Sequence, residues 1–579
     1  MMADRGTGSR RSPRKVALLE RKGRFTSARP LFERGQAIAL ERKARTREGQ
    51  IAWVEFGAGR ARLIRDLGRI DNARDVCEAL TLERLGRRGF PRAVEEAADA
   101  AAASPADFPR QDLTDLTTFT VDPATARDFD DAVSARREGD GVRLWIHIAD
   151  VSAFVRPGST LEREAFLRAN STYVPTSVEP MLPHSLSSGV CSLSPGDERL
   201  AVTSEIVLSG TGKVTSAAFY RSRIRSDARL DYDQLDRIFA DRERAPGPVA
   251  EQLDLAREAA AVLADRRRGS ALEVKSAEPS FEFDEQGEVV RAAAEQQTEA
   301  HRLIEQLMVL TNEQVAELTS ARGIPSVYRV HEMPDPDRVE RMLAQLASLD
   351  LPAPPLPAGM GPTTAGEIAV EASRSVAEEA ARRGHGAEAY SSLILRSLKP
   401  ARYLEKNLGH AGLGSEAYCH FTSPIRRYPD LLVHRALLSA VGGGEEAPTT
   451  GEAAEAALHA SEREREAMVL ERDADDVCAA FLLERELFQE GYEKRFRGEV
   501  SGVIRSGAFV RFGGRLGDVY EGFIPARRIR GERFELNLEE TSLVGSKTGR
   551  KVSIGDGLDV QVDKVDAAQG RVDLFPAEG

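Results

Sequence analysis

Cysteine and long apolar runs are both scarce in this sequence of 579 residues. Its four cysteines, Cys77, Cys191, Cys419 and Cys478, lie far apart and form no CxxC pair. This pattern argues against a disulfide framework and against a thiolate zinc site. No apolar run reaches the roughly 18 residues of a membrane span, and the basic start lacks the apolar segment of a secretory signal. We therefore expect a cytoplasmic protein without membrane contact.

Positive charge is outnumbered by negative charge, with 80 Lys and Arg against 92 Asp and Glu and a formal net charge of -12. Such a balance argues against a protein that coats nucleic acid through bulk charge. The basic residues are numerous enough for local basic surfaces, so a nucleic-acid partner is not excluded. A chain of this length is too long for one core and indicates three or four domains.

The pattern along the chain predicts an α+β protein in four parts. Residues 1–34 are rich in Arg, Ser and Gly and are predicted to form a basic flexible arm. Residues 35–108 predict a small α+β domain, in which two short helices either form a winged helix-turn-helix that binds nucleic acid or simply pack together. Residues 109–490 mix strand-like and long helical runs and predict a large mixed α/β domain. Residues 494–577 predict five short strands in a small closed barrel of the OB type.

The stretch "TVDPATARDFDDAV" concentrates four aspartates, Asp122, Asp128, Asp130 and Asp131, within ten residues. Their apolar neighbours Val121, Phe129 and Ala132 are predicted to be buried, which holds the acids close to a core. The spacing does not fit an EF-hand loop, which needs Gly at its sixth position and Glu at its twelfth. Carboxylates without His or Cys suit Mg²⁺ or Mn²⁺. A metal site and an acidic loop both remain open at this point.

A second stretch, "YCHFTSPIRRYPDLLVHR", places Arg426 and Arg427 behind a Ser-Pro turn. Guanidinium groups on a fixed backbone suit bidentate contact with phosphate. The alternative is that one arginine pairs with a structural aspartate such as Asp430. Acids that favour cations, arginines that favour phosphate and a basic barrel with aromatic residues together indicate a polynucleotide ligand.

These motifs, in order, resemble those of the RNase II/RNase R (RNB) exoribonucleases. The resemblance rests on the two stretches above and on "WIHIADVSAFVRPGS", "LIEQLMVLTNE", "YRVHEMPD" and the closing barrel, and it covers roughly residues 109 to 577. The closing barrel resembles the S1 RNA-binding type. The resemblance implies a processive, Mg²⁺-dependent enzyme that degrades single-stranded RNA from the 3′ end to 5′-nucleoside monophosphates, leaves a short oligonucleotide and acts as a monomer in RNA degradation and mRNA turnover.

The resemblance also implies roles for single residues. Asp122 and Asp131 match direct metal ligands, Asp128 supports the cluster, and Asp130 matches the aspartate on which catalysis depends. The other matches are Arg426 and Arg427 on RNA phosphate, Tyr173 stacked on the terminal nucleotides, Glu471 near the terminal nucleotide and Phe509 on the face of the closing barrel. The structural alternatives are a core tyrosine at Tyr173 and a surface ion pair at Glu471.

The sequence departs from the family pattern ahead of the catalytic region. The family usually carries two cold-shock barrels there, whereas only about 75 residues with a structural pattern precede the linker in this chain. We therefore expect an N-terminal domain of another type, with a helix-turn-helix as the first candidate. Two competing functions are a catalytically silent RNA-binding regulator of the same family and a metal-dependent endonuclease.

Overall fold

The computed structural model describes residues 13–23, 25–41, 46–57, 59–272, 278–295, 297–357, 359–529 and 531–577. The N-terminal region consists of β1 (Arg14–Lys22), β2 (Phe25–Pro30), β3 (Ile38–Ala39), β4 (Gln50–Phe56), β5 (Ala61–Arg69), α1 (Ala73–Leu85) and α2 (Arg92–Ala103). Its strands form one sheet in the order β3-β2-β1-β4-β5. A parallel bridge between Leu40 and Ala61 joins the two edges of this sheet. The region is therefore an incompletely closed five-stranded barrel, with the strand order of an OB-fold.

The flexible arm predicted for residues 1–34 is wrong where the structure describes it. Residues 14–22 form β1 and residues 25–30 form β2, and Ala17 and Leu19 are fully buried in the core of the N-terminal barrel. In a small barrel every second side chain of a strand faces solvent and can be basic. The basic residues of these strands therefore gave the segment the composition of a flexible arm. Residues 1–12 lie outside the described residues.

Helix α1 is capped at both ends. The side chain of Asn72 accepts a hydrogen bond from the Asp75 backbone N–H at 3.1 Å, and Gly86 ends the helix with a φ of 68°. Helix α1 packs against β1, β4 and β5 and against a long helix of the next domain, whereas α2 packs elsewhere on that domain. The helix-turn-helix expectation is therefore wrong, because the two helices serve different interfaces.

The central domain is built on a seven-stranded sheet in the order β14-β7-β8-β9-β12-β13-β6. Its elements are β6 (Gln111–Asp112), β7 (Phe119–Asp122), β8 (Asp131–Glu138), β9 (Gly141–Ala149), α3 (Thr160–Arg168), β10 (Thr172–Val174), β11 (Ser177–Glu179), β12 (Glu198–Leu208), β13 (Val214–Arg225), β14 (Ala228–Asp231), α4 (Tyr232–Phe239), α5 (Ala250–Arg267), β15 (Glu278–Phe283), β16 (Val289–Glu295), α6 (Glu299–Ala321), β17 (Tyr328–Val330), α7 (Pro336–Ser348), α8 (Pro362–Arg383), α9 (Ala387–Ser397), β18 (Arg402–Leu404), α10 (Tyr428–Ala440) and α11 (Thr450–Glu490). Strand β9 is buried along nearly its whole length because α5 and α6 pack against it.

The 41-residue helix α11 connects the three parts of the molecule. A capping box between Thr449 and Glu452 starts it, and it contacts α1, the strand β10 and three strands of the C-terminal domain. The contact with α1 brings the buried thiols of Cys77 and Cys478 within 3.5 Å of each other. None of the helices in the described ranges combines the length and hydropathy that a membrane crossing needs.

The C-terminal domain is a closed barrel in the order β19-β20-β21-β26-β25, as the sequence predicts. Its elements are β19 (Arg495–Ile504), β20 (Gly507–Phe512), β21 (Tyr520–Pro525), β22 (Phe534–Leu536), β23 (Ser542–Gly545), β24 (Lys551–Ser553), β25 (Gly557–Asp566) and β26 (Arg571–Pro576). Strands β22 to β24 form an additional small sheet that the sequence did not indicate. Glu486, at the end of α11, accepts hydrogen bonds from the Arg515 and Leu516 backbone N–H groups and from the Tyr520 hydroxyl. These bonds fix the barrel on α11.

Candidate active site

The four aspartates lie at one end of the central sheet, on the connection between β7 and β8. Asp122 is the last residue of β7 and Asp131 is the first residue of β8. Between them Phe129 is buried, and its backbone N–H donates to the Ser192 hydroxyl at 3.0 Å. The predicted burial of Val121, Phe129 and Ala132 is confirmed. The apolar residues therefore fix the connection and hold the carboxyl groups together.

Asp130 has the most constrained environment of the four. It is 4% exposed, and its Oδ1 accepts a hydrogen bond from the Ile425 backbone N–H at 2.9 Å. Its Oδ2 lies 3.5 Å from the Nε of Arg426. Burial raises the pKa of Asp130 well above its usual value, while the charge of Arg426 and the Ile425 N–H oppose that shift. The two motifs found in the sequence thus meet at this carboxyl group.

Asp122 and Asp131 are held in surroundings that disfavour their charge. Burial, followed by repulsion from Asp131 and Asp130, raises the pKa of Asp122 to about 8. Burial raises the pKa of Asp131 to about 6, against the opposing charge of Arg426. The Oδ2 of Asp122 is buried and has no hydrogen-bond partner among the described residues. A cation would satisfy this oxygen and relieve the repulsion.

The donor set fits a hard divalent cation by its chemistry, because it consists of carboxylate oxygens lining one cavity. Within the part of the chain that the structure describes, however, no three Asp, Glu, His or Cys side chains are grouped as the ligands of an ion. Asp130 instead contacts Ile425 and Arg426, and Asp128 contacts Tyr173.

The two arginines of the Ser-Pro turn have different partners. Arg427 donates to both carboxylate oxygens of the fully buried Asp430, at 2.9 and 2.7 Å, and Asp430 also accepts from the Ser423 backbone N–H. The pairing with Asp430 that the sequence left open is therefore the arrangement found, and it engages two of the three nitrogens of the Arg427 guanidinium. Arg426 remains 46% exposed and faces Asp130.

Tyr173 lies on β10 and reaches the acids from the opposite wall. Its side chain is 40% exposed, which excludes a core tyrosine, and its hydroxyl donates to Asp128 at 3.5 Å. Its backbone N–H donates to the Glu471 carboxylate on α11 at 2.8 Å. Glu471 thus supports the hairpin formed by β10 and β11 rather than forming a surface ion pair. Burial raises the pKa of the Glu471 carboxyl group. The preceding Ser171 N–H donates to the carbonyl of Arg426, so Tyr173 and Arg426 are carried by adjoining backbone segments.

The four aspartates, Tyr173 and the two arginines line a cavity of about 480 Å³. Further lining residues, which sequence reasoning missed, are Tyr232, Glu305, Asn312, Tyr418 and His420. Asn312 is buried in α6, where it donates to the Tyr418 hydroxyl and accepts from the Phe421 N–H. An asparagine on the apolar face of a helix was the signal in the sequence, since a buried amide needs polar partners.

Phe509 does not belong to this cavity. It is 37% exposed on β20, with its ring 5.1 Å from that of Phe523. It lines a separate groove of about 1100 Å³ between α9 and the C-terminal barrel, together with Arg396, Arg497 and Arg511. Of the predicted residues, Phe509 thus lines this groove, Glu471 lines neither the groove nor the acidic cavity, and the others line the acidic cavity.

The fold and the cavity define a protein with an RNB domain and an S1 barrel. The model of the RNB domain matches residues 110–443, and that of the S1 RNA binding domain matches residues 491–575. The chain belongs to the RNase II/RNase R (RNB) family.

Similar proteins and structures agree with this assignment. The chain is 33% identical to Ribonuclease R 1 of Lactococcus lactis, over 88% of this chain and 62% of that protein. It is 32% identical to Ribonuclease R of Thermotoga maritima, over 90% of this chain and 72% of that protein. The apo form of Mycoplasma genitalium RNase R has 25% identity and a TM-score of 0.86, with coverage of 97% of this chain and 89% of that one. The chain thus spans less than two thirds of the length of the Lactococcus relative.

Proposed function

We propose that the protein is a processive, Mg²⁺-dependent 3′→5′ exoribonuclease that hydrolyses single-stranded RNA to 5′-nucleoside monophosphates and leaves a short oligonucleotide. It acts as a cytoplasmic monomer in RNA degradation and mRNA turnover. The observation that carries the proposal is the position of Asp130, buried between the Ile425 N–H and Arg426 on a cavity that also contains Asp122, Asp131 and Tyr173.

Asp122 and Asp131 would hold Mg²⁺, with Mn²⁺ as a substitute, and Asp128 and Asp130 would complete the acidic site. When bound, the ion supplies positive charge against the negative charge that develops on the phosphate. Arg426 donates to the scissile phosphate from the other side, because its guanidinium is half exposed and faces the acids. Asp130 orients that guanidinium, and its own position is fixed by the Ile425 N–H.

Tyr173 provides the surface on which the terminal bases stack, next to the acids. Stacking depends on the flat face that all bases share, so it holds RNA without regard to sequence. Contacts of this kind suit an enzyme that shifts its substrate by one nucleotide after each cut. Water attacks the phosphorus of the last phosphodiester and the bond from phosphorus to the 3′ oxygen breaks, so the phosphate stays on the 5′ oxygen of the released nucleoside and the shortened RNA keeps a 3′-hydroxyl group.

End-labelled poly(A) incubated with Mg²⁺ tests the proposal. We expect 5′-AMP to accumulate from the start while the remaining RNA ends as a short oligonucleotide. RNA that is bound but uncut would favour a silent binding protein, and internal fragments would indicate an endonuclease.

Tyr173→Ala is expected to lengthen the final oligonucleotide. The loss of a stacking partner removes about 1–3 kcal/mol per base, so short RNAs dissociate before the last cuts. The product lengths are read on a denaturing gel, and Tyr173→Phe, which keeps the ring, should retain the parent product. An unchanged product from the alanine variant would remove Tyr173 from the substrate-binding surface.

The apparent affinity for Mg²⁺ is expected to rise as the pH rises from about 6 to about 8. Burial and mutual repulsion raise the pKa values of Asp131 and Asp122 to about 6 and about 8, so protons compete with the cation below these values. Without a cation, the same raised pKa values mean that the folded state binds more protons than the unfolded state, so its stability falls as the pH rises from 4 to 8.

Thermal unfolding measured during Mg²⁺ titrations at three pH values within this window checks the prediction. In Asp122→Asn the dependence of Mg²⁺ affinity on pH should be much weaker. An affinity that is independent of pH in the parent protein would contradict the assignment of these two acids.

A further inference from the structure

The hairpin β10–β11, which carries Tyr173, is held on both sides. On the inner side, β10 is tied to α11 and to the backbone next to Arg426. On the outer side, β11 contacts the loop Gly86–Pro91 that follows α1. The outer contact comes from outside the matched RNB domain, whose residues begin at 110. The position of Tyr173 therefore depends on a segment of the N-terminal region.

Arg88 makes most of this outer contact. Its Nε donates to the Glu179 carboxylate at 2.7 Å and its Nη2 donates to the Ser177 hydroxyl at 3.2 Å. Its third nitrogen lies 3.0 Å from the carboxylate of Glu78 on α1. A single guanidinium thus connects α1 to both ends of β11.

The contact lies directly behind Tyr173. In the hairpin register, Tyr173 pairs with Val178, the residue between Ser177 and Glu179. Glu179 is 6% exposed, and the Gly89 N–H is its further hydrogen-bond donor from the same loop. A buried carboxylate that loses its cationic partner must move toward water or take up a proton. Loss of Arg88 would therefore displace the strand that supports the stacking ring.

We propose that Arg88 is a positioning residue for Tyr173, through which the segment that follows α1 sets the length at which RNA degradation stops. The proposal rests on the proposed exoribonuclease activity and deepens it. Arg88 touches no reacting group, and it acts through Glu179, Ser177 and the hairpin. It therefore controls the last steps on short RNA, where a single stacking contact decides between another cut and dissociation.

Arg88→Ala tests the proposal with 5′-labelled poly(A). The final oligonucleotide should be longer than that of the parent protein by about one nucleotide or more, because a misplaced ring stacks poorly. The initial rate on long RNA should stay within about twofold, since long RNA has many other contacts. Arg88→Lys keeps the positive charge but not the several N–H donors of the guanidinium, and its final oligonucleotide should be intermediate in length. Glu179→Gln should also lengthen the product, and it serves as the second variant if Arg88→Ala folds poorly.

Two controls separate positioning from a general loss of structure. Arg92→Ala removes an arginine that is 91% exposed and pairs with Glu96 on α2, and it should leave the product length unchanged. Arg88→Ala combined with Tyr173→Ala should give the product of Tyr173→Ala alone. Additive lengthening, or the parent product from Arg88→Ala and Glu179→Gln, would overturn the proposal.

A binding measurement separates this proposal from the activity itself. An RNA with 2-aminopurine at its 3′ end is bound to the Asp130→Asn variant, and its fluorescence reports stacking of the terminal base. Arg88→Ala should restore fluorescence as Tyr173→Ala does, and Arg92→Ala should not. If this pattern appears while the parent protein releases no nucleotide, the proposed activity fails and the role of Arg88 stands. Unchanged quenching in Arg88→Ala would overturn that role.

Discussion

Asp130→Asn is expected to abolish nucleotide release while the affinity for single-stranded RNA stays within about a few-fold. An asparagine retains the size of the side chain and an oxygen that can accept from the Ile425 N–H, so the turn that carries Arg426 should stay in place. It removes the negative charge that orients Arg426 and contributes to the cation site. We expect a loss of about 10²–10³-fold or more in rate, since the affected groups stabilise charge in the transition state.

Binding should survive the same change for an electrostatic reason. A carboxylate beside the phosphate repels it when no cation is present, so neutralising Asp130 does not weaken the ground-state complex. Fluorescence anisotropy of labelled RNA in the presence of a chelator measures the affinity, and nucleotide release in Mg²⁺ measures the rate. Asp115→Asn, at an exposed aspartate of the same domain, is the matched control. Release by Asp130→Asn near the parent rate would show that its role is misassigned.

Arg426→Ala and Arg427→Ala are expected to inactivate the protein for different reasons. Arg426→Ala should lower the rate of nucleotide release by about 10²–10³-fold, because it removes a donor to the phosphate. Its stability should change little, since the side chain is 46% exposed. Arg427→Ala should instead lower stability by about 3 kcal/mol or more, because it leaves the fully buried Asp430 without its cationic partner.

Urea unfolding and rate measurements on both variants distinguish the two roles. Asp430→Asn should reproduce the loss of stability of Arg427→Ala, since it breaks the same ion pair from the other side. If Arg427→Ala keeps its full stability and loses affinity for RNA, then Arg427 contacts phosphate after all.

Much of the site can be predicted from the sequence because it is carried by short contiguous stretches. The four aspartates lie within ten residues, and the buried Val121, Phe129 and Ala132 between them are visible as apolar positions. Local signals also define the ends of α1 and the strands of the C-terminal barrel, because caps and turns depend on neighbouring residues.

The rest depends on how the backbone folds and on contacts between residues that are far apart in the chain. Nothing local distinguishes Arg426 from Arg427, and only the folded turn shows which of them is committed to Asp430. The link from Arg88 to Glu179 joins residues of two domains. The N-terminal barrel was missed because a strand rich in arginine and lysine has the composition of a solvated tail.

The central claim is that the cavity around Asp130 degrades RNA from its 3′ end. A single-stranded RNA with different labels at its two ends, incubated with the parent protein and Mg²⁺, tests this claim most directly. We predict that the 3′ label appears in a mononucleotide at once, while the 5′ label stays in progressively shorter RNA and ends in a short oligonucleotide. Early release of the 5′ label, or RNA that keeps both labels, would contradict the account.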